Sequence, residues 1–138
     1  MSIIILAAKK ESGATIIIWS RREKFARFGS EEKEVGWGPY KTPLFGHVSD
    51  ITDLKWSMDS KFLMSGSVDN AAILWNIDKM CMLQRFDGHT HFVQGVAIDP
   101  FFKYLITQGS DRCVKIWKSN KSKQKVSFYP FMVTFSYF

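Results

Sequence analysis

Three side chains that together can move a proton recur in this chain at fixed spacing. His47, Ser65 and Asp69 are followed, 42 residues on, by His89, Thr107 and Asp111. An imidazole between a carboxylate and a hydroxyl has the hydrogen-bond order of a nucleophilic relay, in which the hydroxyl attacks and the carboxylate orients the base. Two features argue against catalysis. The whole set occurs twice, and each copy ends in a Trp six residues after its Asp, Trp75 and Trp117. Indole N–H is a donor only, so it can close a hydrogen-bonded chain but cannot relay a proton. A buried carboxylate needs donors, and imidazole, hydroxyl and indole in series supply them. The expectation is two structural tetrads, His47–Ser65–Asp69–Trp75 and His89–Thr107–Asp111–Trp117, and no catalytic residue.

The elements that must position these groups follow from the same period. Gly46-His47 returns as Gly88-His89, and the anchors between share the offset of 42. A period of about 40 to 45 residues with Gly-His at one end and a late Trp-Asp belongs to WD-repeat blades, each of four antiparallel strands. Here the dipeptide reads Trp75-Asn76 and Trp117-Lys118, so its Asp is missing from both copies. The fold class is therefore expected to be all-β: a partial WD-repeat β-propeller with two complete four-stranded blades, 46–87 and 88–128. Runs rich in apolar and β-branched residues place the strands at 51–56, 62–67, 71–76 and 81–86, then at 93–98, 104–109 and 114–118. Asp-, Asn- and Ser-rich segments between them read as turns, and Pro100 fits because it ends a strand. The polar run 119–125 leads to an outer strand at 126–128, and 129–138 is an aromatic tail with no assigned structure.

Before the first full repeat, residues 3–8 and 15–19 read as a hairpin whose Trp19 corresponds to Trp75, so 1–20 is the second half of a preceding blade. Gly13 stands where its Asp would fall, and that blade lacks a tetrad. Residues 21–45 hold an insertion, because 26 residues separate Trp19 from Gly46 against 12 between Trp75 and Gly88. Its mixed charge and closing Gly36-Trp37-Gly38-Pro39 predict a surface loop, followed by an outer strand. Rings hold typically about 4 to 8 blades. Two repeats and part of a third predict a fragment of a longer ring, with open edges able to pair with another chain.

Composition narrows the function classes. The net charge of +6 suggests a polyanion partner until it is divided along the chain. Residues 46–117 carry seven basic and eight acidic side chains, 1–45 carry eight and five, and the segment after Trp117 carries four Lys and no acid. The blades are near neutral and the basicity sits in the flanks and loops, where a solvated face is the plainer account and a polyanion contact the alternative. Cys81 and Cys113 stand alone, without zinc spacing or a secretory context, and read as reduced core or strand residues. His89-Thr90-His91 has no further Cys or His beside it, so no metal or other cofactor is expected. Neither apolar end reaches the roughly 18 residues of a spanning helix, and no membrane association is expected.

Beyond the anchors, three segments carry a finer resemblance. Ser67-Val68-Asp69-Asn70-Ala71-Ala72-Ile73-Leu74-Trp75 is the first, and Phe92-Val93-Gln94-Gly95-Val96 with Asp99-Pro100 and Tyr104 is the second. Ser110-Asp111-Arg112 is the third. Together they resemble the family of the WD-repeat B subunit of chromatin assembly factor 1. The HIRA histone-chaperone family is a close second, sharing the Ser-Val-Asp-Asn and Asp-Pro segments. The likeness covers roughly residues 14–128, and the insertion before Lys41-Thr42 is placed as in the chromatin assembly protein; the final aromatic stretch departs from it. The resemblance implies a nuclear, non-catalytic scaffold delivering newly made core histones to replicating DNA together with other chromatin assembly factor subunits. Loops of one ring face would make the contacts, with Arg112, beside Asp111, the leading partner-binding residue. Sequence-specific DNA recognition is not expected. The alternative is a general WD-repeat scaffold in another complex, such as a ubiquitin ligase or an RNA-processing assembly.

Overall fold

The computed structural model describes residues 3–10, 13–23, 35–39, 42–122 and 125–133. All regular structure in them is strand, arranged as three antiparallel sheets. The first sheet joins β1 (Ile3–Lys10) to β2 (Gly13–Glu23), and β2 in turn to β3 (Val35–Pro39) and β4 (Leu44–Phe45). The second runs β5 (Ile51–Trp56), β6 (Phe62–Ser67), β7 (Ala72–Asn76), β8 (Cys81–Phe86). The third repeats that order with β9 (Val93–Ile98), β10 (Tyr104–Gly109), β11 (Val114–Ser122) and β12 (Lys125–Val133). The all-β expectation holds, with each consecutive pair in the second and third sheets joined as a hairpin.

Burial explains which strands read as apolar runs and which alternate. β6 and β7 lie in the middle sheet with neighbours on both faces, so nearly every residue from Leu63 to Trp75 within them is buried. Such strands show near-continuous apolar sequence. β10 has a neighbouring sheet on one face, and its burial alternates, with Leu105, Thr107 and Gly109 inward.

The core therefore lies between sheets. Ile16, Ile18 and Leu44 of the first sheet meet Leu63, Ile73, Trp75 and Ile77 of the second. Met64, Ala72, Leu74 and Phe86 of the second meet Val93, Val96, Leu105 and Trp117 of the third, the Phe86 and Trp117 rings tilted with centroids 5.0 Å apart. Two hydrogen bonds between β5 and β9 tie the second junction: Thr52 Oγ1 donates to the Val93 carbonyl at 2.5 Å, and Val96 N–H donates to Asp53 Oδ2 at 3.0 Å. The sheets approach so closely here that a Cβ on Gly66 would stand 2.8 Å from Val93 Cγ1.

Three sequence expectations need correction. Residues 21–23 and 35–39, expected in a surface loop, are strand: the charged Arg21, Arg22 and Glu23 pair with Trp37, Gly36 and Val35. Paired backbone outweighs their poor strand propensity, and Gly and Pro are tolerated because this is an outer strand. The remaining insertion residues, 24–34 and 40–41, lie outside the described residues. The polar run 119–125 is not a connecting loop, because Lys118–Ser122 pairs with Lys125–Tyr129 and lengthens both β11 and β12. β12 then continues to Val133, with Pro130 on the outermost strand beside a register shift; residues 134–138 lie outside the described residues. Finally, Cys113 is neither core nor strand but half-buried in the β10–β11 turn, whereas Cys81 is a strand residue as expected, exposed on β8; both are free thiols.

Candidate functional site

In each of the second and third sheets the first loop and the central turn meet at one end. His47 lies in the loop between β4 and β5 and Asp69 in the β6–β7 turn, while Ser65 is on β6 and Trp75 on β7. The structure brings all four together. Trp75 Nε1–H donates to Ser65 Oγ at 2.9 Å, and Ser65 Oγ stands 2.7 Å from His47 Nε2. His47 Nδ1 stands 2.8 Å from Asp69 Oδ2. Because the carboxylate can only accept, Nδ1 carries the proton and Nε2 accepts from the hydroxyl, giving a chain that runs in one direction from indole to carboxylate. The third sheet repeats it. Trp117 Nε1–H donates to Thr107 Oγ1 at 3.2 Å, Thr107 Oγ1 lies 2.8 Å from His89 Nε2, and His89 Nδ1 lies 2.9 Å from Asp111 Oδ2.

Each carboxylate also collects backbone donors. Asp69 accepts from Val48 N–H and Ala71 N–H, both at 3.1 Å, and Asp111 from Thr90 N–H and Cys113 N–H, both at 3.1 Å. Burial alone would raise both carboxyls. The His partner and the backbone N–H groups outweigh it and hold Asp69 and Asp111 below the usual carboxylate range. For His47 burial dominates over the attraction of Asp69, and its pKa is lowered. The His47–Asp69 pair is therefore neutral imidazole and carboxylate at neutral pH.

This order of groups is that of a proton relay, but access decides what it can do. Ser65 and Thr107 are both 0% exposed, each beneath its indole and inside a sheet junction. A nucleophile must reach a substrate carbonyl, and these hydroxyls reach none. Among the described residues no group of three or more His, Cys, Asp or Glu is arranged to hold a metal, and no helix is long and apolar enough to cross a membrane.

The structure gives the anchor glycines a physical role and adds Gly109, Ser67, Arg85 and Lys115, which the sequence pattern did not single out. A Cβ at Gly46 would lie 2.8 Å from the Trp75 ring, so glycine lets the His loop pass over the indole. At Gly88 the requirement is different: its φ of +140° would strain any side chain, and a Cβ would lie 3.0 Å from Lys115 Nζ, with Trp117 no closer than 3.9 Å. At Gly109 a Cβ would overlap His89 Nδ1 and Asp111 Oδ1; the matching position in the previous repeat holds Ser67, whose hydroxyl instead bonds the Ser49 carbonyl and Asp69 N–H. Unequal residues at an equivalent position were the available signal. Arg85 on β8 stands 3.7 Å from Asp69 and 2.9 Å from Asp87, and Lys115 Nζ donates to the Gly88 carbonyl.

Arg112 sits at the tip of the β10–β11 turn, exposed, with φ 64°; its counterpart Asn70 has φ 67°. Asn adopts this left-handed conformation readily and Arg does not. At the same end of the sheets, Val48 is 78% exposed and Val68 and Phe92 are partly exposed.

Comparison with known proteins places this geometry. Residues 3–134, spanning all three sheets, match the family described as the CAF1B/HIR1 beta-propeller domain. The chain belongs to this family. It is 41% identical over 118 residues to "Chromatin assembly factor 1 subunit FAS2 homolog" of Oryza sativa subsp. japonica, covering 86% of this chain and 22% of that protein. It is 34% identical over 123 residues to the B subunit of chromatin assembly factor 1 of Mus musculus, covering 83% and 21%. Against "Protein hir1" of Schizosaccharomyces pombe (strain 972 / ATCC 24843) identity is 38% over 122 residues, covering 84% and 13%. The chain thus spans less than a quarter of the length of these relatives. Both resemblances read from the sequence, to the WD-repeat protein of chromatin assembly factor 1 and to the HIRA-type chaperones, fall within the one family.

Proposed function

We propose that this chain supplies blades of a non-catalytic WD-repeat scaffold that binds core histones and other chromatin assembly factor subunits during replication-coupled nucleosome assembly in the nucleus. The family membership across residues 3–134 is the observation that carries it. The sealed hydroxyls support the non-catalytic part, since the tetrads spend their hydrogen-bonding groups on one another. On this reading 46–87 and 88–128 are two blades, 1–20 is the second half of the one before, and 21–45 bears its insertion and outer strand.

The partner surface is the end of the sheets where the tetrads lie. There Val48, Val68 and Phe92 offer apolar contact area beside the exposed Arg112 guanidinium. Arg is suited to bidentate recognition of carboxylates and to stacking, which fits a protein partner. Purification of the tagged, longest gene product from replicating cells tests the proposal. Recovery of core histones with chromatin assembly subunits is the expected result. Recovery of a ubiquitin-ligase or RNA-processing complex without them would replace it with the general-scaffold function.

A further inference from the structure

At the end of the sheets opposite the tetrads, the β5–β6 and β9–β10 turns enclose a cleft. Ser57, Met58 and Asp59 line it from the first turn, Pro100, Phe101 and Phe102 from the second, with Phe62 at the start of β6, around a volume of about 370 Å³. Clefts in which proteins seat ligands run from about 300 to 1,000 Å³.

The two turns occupy equivalent places in the repeat and share one backbone. Residues 57–61 and 99–103 are related by the offset of 42. Ser60 N–H donates to the Ser57 carbonyl at 3.0 Å and Phe102 N–H to the Asp99 carbonyl at 2.8 Å, with φ of 58° at Ser60 and 55° at Phe102. Their side chains differ: Asp59-Ser60 in one turn becomes Phe101-Phe102 in the other. A bulky residue is disfavoured in this left-handed region. The Phe102 ring stacks on Phe62, centroids 4.4 Å apart and planes 19° from parallel, which offsets that cost. No such packing accounts for Phe101 and Met58. They are 84% and 79% exposed, the most open of the large apolar side chains among the described residues, and they stand on one cleft, one from each turn. Apolar side chains exposed together, unlike single scattered ones, mark a contact surface.

Charge then says what kind of partner fits. Asp59 is the one ionisable group in the lining. Burial opposes its charge slightly, but the Ser57 hydroxyl at 2.6 Å and the Lys61 N–H at 3.1 Å both donate to Oδ1 and hold the carboxyl below the usual range. The Lys61 side chain adds a weaker attraction from outside the lining, and Lys103 Nζ lies instead over the Tyr104 ring, 5.4 Å from its centroid. An exposed carboxylate at the mouth of an apolar cleft is complementary to a cation carried beside an apolar anchor.

We propose that this cleft receives a segment of a protein partner in which a large apolar side chain stands next to a lysine or arginine. The apolar group enters between Met58 and Phe101, and the cation pairs with Asp59. This contact is separate from the tetrad end, so the two ends of the sheets are able to hold different partners.

Nuclear magnetic resonance titration of the isotope-labelled full chain with three capped dipeptides tests this. N-acetyl-phenylalanyl-arginine amide should shift the amide resonances of residues 57–62 and 101–103. The phenylalanyl-glutamate analogue should bind roughly two- to fivefold more weakly, the size of a solvent-exposed ion pair. The glycyl-arginine analogue, without the anchor, should bind at least about tenfold more weakly. Asp59→Asn should abolish the preference for arginine over glutamate, and Phe101→Ser should weaken the phenylalanyl-arginine peptide about tenfold without changing the melting temperature. If Asp59→Asn disturbs folding, Phe101→Ser carries the test through the same resonances. Absence of shifts at these residues, or equal binding of the arginine and glutamate peptides by the unaltered chain, would overturn the proposal. So would shifts of the same resonances with chain concentration alone, which would assign the cleft to a second copy of the chain.

Discussion

Replacing Asp69 by Ala should destabilise the chain by about 3 to 4 kcal/mol. The carboxylate accepts from His47 Nδ1–H at 2.8 Å and from Val48 and Ala71 N–H at 3.1 Å each. A hydrogen bond to a charged group contributes roughly 1.5 to 3 kcal/mol, and a buried donor left alone costs about 1 to 3. His47 is 5% exposed, so its N–H finds no water, whereas the Val48 N–H lies at the surface and is rehydrated. The imidazole then carries most of the loss and Ala71 the rest. At about 3 °C per kcal/mol for a chain of this size, the melting temperature should fall by roughly 10 °C. Far-UV circular dichroism and Trp fluorescence would follow it, since Trp75 ends the same hydrogen-bonded chain. Asp69→Asn keeps one acceptor oxygen and should lose about half as much. A loss under about 1 kcal/mol for Asp69→Ala, with a cooperative transition retained, would refute the view that the tetrad holds the sheet together.

Gly109→Ala should cost about 1 to 3 kcal/mol, because its methyl group displaces the His89–Asp111 pair; a melting curve like that of the unaltered chain would contradict this. Asp53→Ala removes the acceptor of Val96 N–H at the junction of the second and third sheets, and hydrogen exchange should speed at Val96 more than within β6. Stability should also fall on acidification in two stages. His47 has a lowered pKa, so the unfolded chain takes up that proton first, and stability declines as pH drops below about 6.5. The depressed carboxyls of Asp69 and Asp111 contribute stability that is present above about pH 4 and is lost as pH falls through their folded-state values. Chemical denaturation across the range from about pH 8 to 3 measures both, and stability that is constant down to about pH 5 would exclude the first stage.

Much of the architecture is legible because propeller blades repeat. A 42-residue offset shared by Gly46, His47, Asp69 and Trp75 with their counterparts locates both full sheets, and six of their eight strands fall within a residue of the pattern at both ends. The ends of the strands next to the outer ones are less legible, for a physical reason: Arg21–Glu23 of β2 and Ser119–Ser122 of β11 run past β1 and β10 and are strand through backbone pairing with β3 and β12, which composition does not report. The tetrad residues can be named from spacing, whereas the roles of Gly109, Asp53 and Thr52 depend on how closely two chain segments approach. Of the two alternatives open for Cys81, core or strand, the structure selects the second: β8 is outermost and leaves its first residue exposed.

Hydrogen–deuterium exchange of the full-length protein with and without core histones tests the central claim most directly. Protection should appear in the loops at 46–50, 68–71, 88–92 and 110–113, and Arg112→Ala should weaken it without lowering the melting temperature. Unchanged exchange in all four loops at saturating histone would contradict the proposed scaffold function.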